Sequence, residues 1–258
     1  MDSFKDLTPE PPMGWNSFDS YHGAITEKQF KNAVDFLARK MLPLGWEHAV
    51  IDFFWFHPGP EDWPFNKNEN KWQTFTVSLI RDQIGDIFPK MCMDEYGRLL
   101  PAVNRFPSAA NGNGFKLLAD YVHNKGMKFG LHIMRGIPRQ AADENTTIKG
   151  TEFRARDIIE ERAVCYWNNA MFGIDHNKPG AQEYYNSLFE LYAEWGVDFI
   201  KADDMMTPFY HKGEIEMMRK AIDQCGRPIA LSLSCGKAPI ARASHLQNHA
   251  NMWRISGD

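Results

Sequence analysis

Apolar positions along this chain switch repeatedly between a helical and a strand period, and the switches divide it into strand–helix units. PMGWNSF (12–18) is a short apolar start. TEKQFKNAVDFLARKML (26–42) then puts Phe30, Val34, Leu37 and Met41 on one helix face, with Thr26 placed to cap it. Gly45 opens WEHAVIDFFWF (46–56), which reads as a buried strand, and a Pro-, Asn- and Trp-rich region leads on to GRLLPAVNRFP (97–107). NGNGFKLLADYVHNKG (111–126) is a helix carrying Phe115, Leu118 and Val122 on one face and Gly126 as its stop. The strand MKFGLHIMRG (127–136) follows, then a second insertion as far as residue 178. Pro179 is placed in the first turn of the helix AQEYYNSLFELYAEWG (181–196), and VDFIKADD (197–204) is the next strand. A helix over 213–225, a strand RPIALSLS (227–234), a helix near 240–248 and a strand NMWRI (251–255) complete the pattern.

Six such repeats with helix–Gly–strand punctuation predict parallel α/β structure. No GxGxxG follows the first strand, which removes the main signature of a dinucleotide-binding sheet. The expected architecture is a (β/α)8 TIM-type barrel cut after its sixth strand, so that residues 1–258 form an incomplete catalytic barrel domain.

Composition narrows the function classes. With 43% apolar and 24% charged residues the chain has the make-up of a soluble globular protein. A net charge of −4 without blocks of like charge argues against nucleic acid as a partner. No apolar run is long enough for a membrane span. The start MDSFKDLTPEPP lacks a basic-then-apolar leader, which predicts a cytoplasmic location. Cys92, Cys165, Cys225 and Cys235 are widely spaced, as reduced thiols would be, and suit neither a zinc ribbon nor a redox pair. Nothing sets an oligomeric state.

The candidate chemistry sits where strands end. Active sites of (β/α) barrels form at the C-terminal ends of the strands. Those ends carry Asp52, His132 with Arg135, Lys201 with Asp203 and Asp204, Ser234-Cys235-Gly236, and Arg254 with Asp258. Lys201 and Asp203 alternate across one residue and so share a face. A lysine–aspartate pair of this kind is either an ion pair or part of a site, and Asp204 reads as a helix cap. His57, His132 and His211 could join Asp52 and Asp203 around a divalent metal, which would make a metal-dependent barrel hydrolase or isomerase. His245 and His249 stand four apart, but HLQNH lacks the glutamate of a zinc-protease helix, and solvated or capping histidines are the plainer reading. A non-catalytic binding or inert fragment is the third possibility.

Taken together, PPMGWNSF, the strand ending IDxxW, GRLLPAVNRFP, HNKGMKFG, WGVDFIKADD and WRISGD resemble glycoside hydrolase family 27, the α-galactosidase and α-N-acetylgalactosaminidase family. The motifs keep the family's order over nearly the whole chain. The stretches DENTTIKGTEF, RAVCYWNNAMFGID and KPGAQEYYNSLFELYAEWG resemble a bacterial branch. The resemblance implies a retaining α-glycosidase that hydrolyses terminal α-linked galactose-like sugars by a two-aspartate double displacement, with α-N-acetylgalactosaminide or another α-glycoside as the alternative substrate and no metal or organic cofactor. By position Asp203 matches the nucleophile and Asp258 the general acid/base. Trp15, Asp52, Phe53, Lys201, His132, Cys235, Gly236 and Arg254 match sugar-binding positions. A further C-terminal β-sandwich domain is also expected from it.

Two departures bear on specificity. Galactose-binding members show two adjacent aspartates on the second strand, where this chain has Asp52 and then Phe53. A glutamate that selects the sugar 2-hydroxyl in animal enzymes is replaced by Gly236, which predicts extra room near C2 for an N-acetyl or other substituent. His132 stands in place of a tyrosine, and Met205 in place of a cysteine of the animal pair. The insertions 57–96 and 137–178, with Trp63, Trp72 and Trp167, are expected to shape the mouth.

Overall fold

The computed structural model describes residues 4–59, 90–165, 168 and 170–257. Asp258, Trp63, Trp72 and Trp167 lie outside the described residues. Six parallel strands form one sheet in chain order: β1 (Gly14–Asn16), β2 (His48–Ile51), β3 (Lys128–Met134), β7 (Phe199–Asp203), β8 (Ala230–Leu233) and β9 (Met252–Trp253). These are the six strands the pattern predicts, and the sheet is barrel-like. Between β3 and β7, the second insertion builds a small antiparallel sheet from β4 (Ile137–Pro138), β5 (Ile159–Val164) and β6 (Met171–Ile174). The hydrophobic pattern held no sign of it.

The helices are α1 (Phe18–Tyr21), α2 (Glu27–Lys40), α3 (Lys116–His123), α4 (Arg139–Glu144), α5 (Ala155–Ile158), α6 (Ala181–Trp195), α7 (Lys212–Gln224) and α8 (Ala243–His249). Thr26 caps α2 as expected: its hydroxyl accepts from Gln29 N–H, while the Gln29 side chain accepts from Thr26 N–H. Pro179 is not in the first turn of α6. Gly180, at φ +90°, is the N-cap and the helix begins at Ala181, so the proline only leads the chain in.

Each parallel strand divides its residues between two environments by the two-residue period. Ala49 and Ile51, Phe129 and Leu131, Ile200 and Ala202, and Leu231 and Leu233 are buried in the main core with the helices. Val50, Phe199 and Ala230 form a separate small cluster on the opposite, inner face. Gly130 lets that inner cluster close, because a Cβ there would lie 2.8 Å from Val50 Cγ2 and 3.3 Å from Phe199 Cβ. Further toward the strand C-termini the inner positions become polar: Asp52, His132, Lys201, Asp203 and Ser232.

β2 stops at Ile51, well short of the strand expected over 46–56. Phe53–Phe56 form a turn, with Phe54 at φ +69°. Arg105 holds this turn from beneath. Its guanidinium donates to the carbonyls of Phe54, His57, Gly23 and Ile25, at 2.5–2.9 Å. Among the described residues no helix is long and apolar enough to cross a membrane.

Candidate functional site

The polar inner positions open into one cavity of about 700 Å³ that runs along the inner face of the sheet to the C-terminal ends of the strands. Trp15, Asp52, Phe53, His132, Lys201, Asp203, Cys235 and Arg254 all line it, as do Asn16, Phe18, Ser232 and Ser234. Charge at the end of an apolar strand is thereby accounted for: the carboxylates face a hollow and one another's donors.

Asp52 is almost fully buried, at 1% exposure, yet well paired. Its Oδ2 accepts from Lys201 Nζ at 2.8 Å and from Asn16 Nδ2 at 2.6 Å, and its Oδ1 accepts from Phe53 N–H at 2.8 Å. Burial pushes its carboxyl up, but His132 and Lys201 outweigh burial and bring it down to about 2. Burial acts against the Lys201 ammonium, and the charges of Asp52 and Asp203 overcome that and hold its pKa above the ordinary lysine value. Phe18 lies under the ammonium, its ring centroid 5.9 Å from Nζ.

Asp203 ends β7 and is ringed by donors. His132 Nε2 is 3.1 Å from Oδ2, and Asp204 N–H donates to Oδ1 at 2.8 Å. Burial raises its pKa, and the His132 hydrogen bond and charge, Lys201 and the Asp204 amide together lower it below the usual carboxylate value. Cys235 faces the same carboxylate; burial first, then the charge and hydrogen bond of Asp203, push its thiol up to about 12. At physiological pH this cysteine is a donor, not a nucleophile.

Asp204 is not a helix cap. It stands at φ +63° and forms a buried ion pair with Arg135, whose Nε and Nη2 donate to its Oδ2 at 2.9 and 2.7 Å. Arg135 Nη1 also donates to Glu214 Oε1 at 2.7 Å, and Tyr185 donates to Glu214 Oε2 at 2.6 Å. This network fixes the backbone directly behind Asp203.

Gly236 does not open room. It has φ +73°, and a Cβ built on it would meet Thr207 Oγ1 at 2.0 Å. Thr207 fills the space in which a larger side chain would stand, so the expected widening near C2 is corrected. His57 and His211 do not line the cavity with His132, which removes the five-residue metal set. His57 accepts from Gly59 N–H through Nδ1, and His211 precedes α7, pushed down to about 3 by burial and by Arg135. Among the described residues the group with metal-ligand spacing is another one, Glu216, His245 and His249.

Arg254 follows β9 and lines the cavity, its chain held by Arg254 N–H to Leu233 O at 3.3 Å and Ala238 N–H to Arg254 O at 2.9 Å. Asn16 was missed as a site residue, although it stands in the MGWNSF motif. So was Ser17, whose hydroxyl accepts from Asp52 N–H at 2.9 Å.

A barrel-like parallel sheet with Asp52, Asp203, Lys201 and Arg254 around one cavity defines an α/β barrel-like class of protein, and comparison with known proteins narrows it. The chain is similar along nearly its whole length to glycosidases. It shares 49% identity and a TM-score of 0.88 with a GH27 β-L-arabinopyranosidase from Geobacillus stearothermophilus, matching 99% of this chain and 55% of that one. A structure from Bacillus halodurans, provisionally assigned as an α-N-acetylgalactosaminidase, is 48% identical with a TM-score of 0.75, over 89% of this chain and 50% of its own. The α-galactosidase of Coffea arabica is 26% identical over 253 residues, 96% of this chain and 47% of the coffee enzyme. No family model matches the chain. The chain spans about half the length of the relatives it matches.

Proposed function

We propose that this chain carries the catalytic barrel of a retaining glycosidase of the family 27 type, acting on a terminal pyranoside of galactose configuration without the C6 hydroxymethyl group, a β-L-arabinopyranoside. The observation that carries the reading is Phe53 beside Asp52 at the cavity wall. Asp52, Lys201 and Asn16 offer charge and hydrogen bonds to ring hydroxyls, while the buried phenyl group at the next position offers none to a C6 hydroxyl. β-L-Arabinopyranose has the galactopyranose ring with hydrogen in place of that hydroxymethyl group. The similarity to the Geobacillus arabinopyranosidase supports the same choice, and the Geobacillus and Bacillus structures, at 49% and 48% identity, support a bacterial branch.

In the proposed reaction Asp203 attacks the anomeric carbon as the bond to the leaving oxygen breaks, and Asp258 donates its proton to that oxygen. Water then attacks the anomeric carbon of the glycosyl ester and gives a proton to the Asp258 carboxylate, the ester bond breaks, and Asp203 departs as carboxylate. The donors around Asp203 keep it ionised for attack. Arg254 and Lys201 bind hydroxyls. The role of Asp258 rests on its motif WRISGD, with Arg254 at the cavity four residues earlier.

The test uses nitrophenyl β-L-arabinopyranoside, α-D-galactopyranoside and α-N-acetylgalactosaminide, with the protein expressed at the length of its relatives. Arabinopyranoside should be the best substrate, and Asp203→Ala should abolish its turnover. An Asp203→Ala protein of unchanged activity would end the mechanism. A clear preference for galactoside would end the sugar assignment and leave the mechanism standing.

A further inference from the structure

Away from the cavity, α7 and α8 bring together three side chains that the proposed glycosidase reaction does not use. Glu216 lies on α7, and His245 and His249 lie four residues apart on α8, the interval that puts two side chains on one helix face. The imidazole rings stack at 4.1 Å between centroids and 21° between planes. One ligand atom from each of the three residues lies within 4.8 Å of the other two. His245 is largely buried, with 12% of its side chain exposed, so the plainer reading of solvated histidines fails for it.

The hydrogen bonds around the two rings leave each one a nitrogen that could turn to a metal ion. His249 Nδ1 is 2.7 Å from the carbonyl oxygen of His245. An acceptor there fixes the proton on Nδ1 and leaves the lone pair on Nε2. His245 Nδ1 is 2.6 Å from the Tyr210 hydroxyl, and its Nε2 is 3.2 Å from Glu216 Oε1. A tyrosine hydroxyl both donates and accepts, so it serves either tautomer of His245. With Nε2 protonated, the ring donates to Glu216. With the proton moved to Nδ1, the tyrosine oxygen accepts it, and Nε2 and the carboxylate, 3.2 Å apart, are both left with free electron pairs.

Two cations face the cluster. Lys212 Nζ stands 3.4 Å from Glu216 Oε1 and is more than half exposed, free to swing into solvent. Arg242 lies over the Tyr210 ring, 5.4 Å from its centroid, and not on the carboxylate.

We propose that Glu216, His245 and His249 form a site for a divalent transition-metal ion of the zinc class, with water completing its coordination. Two imidazoles and one carboxylate suit zinc and its neighbours better than calcium or magnesium, which take oxygen ligands. The ion would clamp α8 to α7. Through Tyr210 it would also steady the segment that follows Asp203, and through α8 the approach to Arg254. Its role is to hold these elements; no step of hydrolysis passes through it.

The test is zinc titration of the protein after chelator stripping and return to chelator-free, thiol-reduced buffer, read by calorimetry and thermal melting. One zinc ion per chain is expected, with a melting temperature that rises with zinc concentration. His249→Ala and Glu216→Gln should each weaken binding about 10-fold or more, and Lys212→Ala, which removes a competing cation, should not weaken it. Zinc affinity unchanged in Glu216→Gln would mean a bare histidine pair and would overturn the three-ligand site. Affinity unchanged in His249→Ala, or no saturable binding to the parent protein, would overturn the proposal outright. Glu216 and His249 are both partly exposed, and circular dichroism of each variant verifies that it folds. Where either does not, the cobalt spectrum of the parent protein decides, because nitrogen ligation moves the d–d bands of the aqueous ion and no shift would overturn the site.

Discussion

Lys201 Nζ lies 2.8 Å from Asp52 Oδ2, an ion pair that ties β7 to β2 across the intervening β3. Asp52 is held at about 2 in the fold against an ordinary 3.8. A depressed carboxylate contributes stability above its unfolded value and loses it as pH falls through the folded one. The contribution should therefore be complete above about pH 4 and vanish toward pH 2, and the shift corresponds to roughly 2 kcal/mol. Urea unfolding of the protein and of Asp52→Asn should differ most near pH 6 and converge at low pH. A difference that stays constant with pH would show that the pair does not act through charge.

His132 is the donor that most favours the ionised form of Asp203, by hydrogen bond and by charge. Removing it leaves burial less opposed, so the carboxyl pKa must rise. In His132→Phe the acid limb of kcat/KM on nitrophenyl β-L-arabinopyranoside should move to higher pH, with activity best retained at the alkaline end. A variant that loses activity equally at every pH would assign His132 to sugar binding alone.

The part of this site that was legible in the sequence follows from one rule. Side chains alternate along a strand, so Lys201 and Asp203 had to share a face, and the ends of parallel strands had to converge. The aromatic run 53–56 misled because an apolar stretch looks the same whether it is a strand or a turn packed over a buried arginine. Here Arg105, about 50 residues further on, makes it a turn. Asp204 misled for a similar reason: its partner Arg135 is 69 residues away, and nothing local distinguishes an ion-paired aspartate from a cap. The small sheet of β4, β5 and β6 pairs short segments through an irregular register, which leaves no long alternating run to detect.

Gly236 gives a prediction in which packing and backbone act together. Any other residue would take a strained positive φ and would also press a Cβ into Thr207, 2.0 Å from its hydroxyl oxygen. Gly236→Ala should destabilise the protein by about 1–3 kcal/mol. Thr207→Gly should rescue part of that loss, since it removes the clash but leaves the backbone strain. Additive effects of the two substitutions in denaturant melts would mean that the side chains do not meet.

Phe53 tests the sugar assignment directly. Its side chain is 3% exposed, lines the cavity next to Asp52 and packs edge-on to His132 at 5.4 Å between centroids. Phe53→Asp places a hydrogen-bonding group where the phenyl ring offers none. The ratio of kcat/KM for α-D-galactopyranoside over β-L-arabinopyranoside should rise about 10-fold or more, the scale of a hydrogen bond that one of the two substrates makes and the other lacks. Phe53→Leu supplies the control: it frees space without supplying a polar group, so it should raise the ratio less than aspartate does. A ratio of two rates on the same sample does not depend on how much of it is folded, so the ratio itself separates a change of preference from a loss of fold. A ratio unmoved by aspartate would mean that position 53 does not face the carbon at which the two sugars differ.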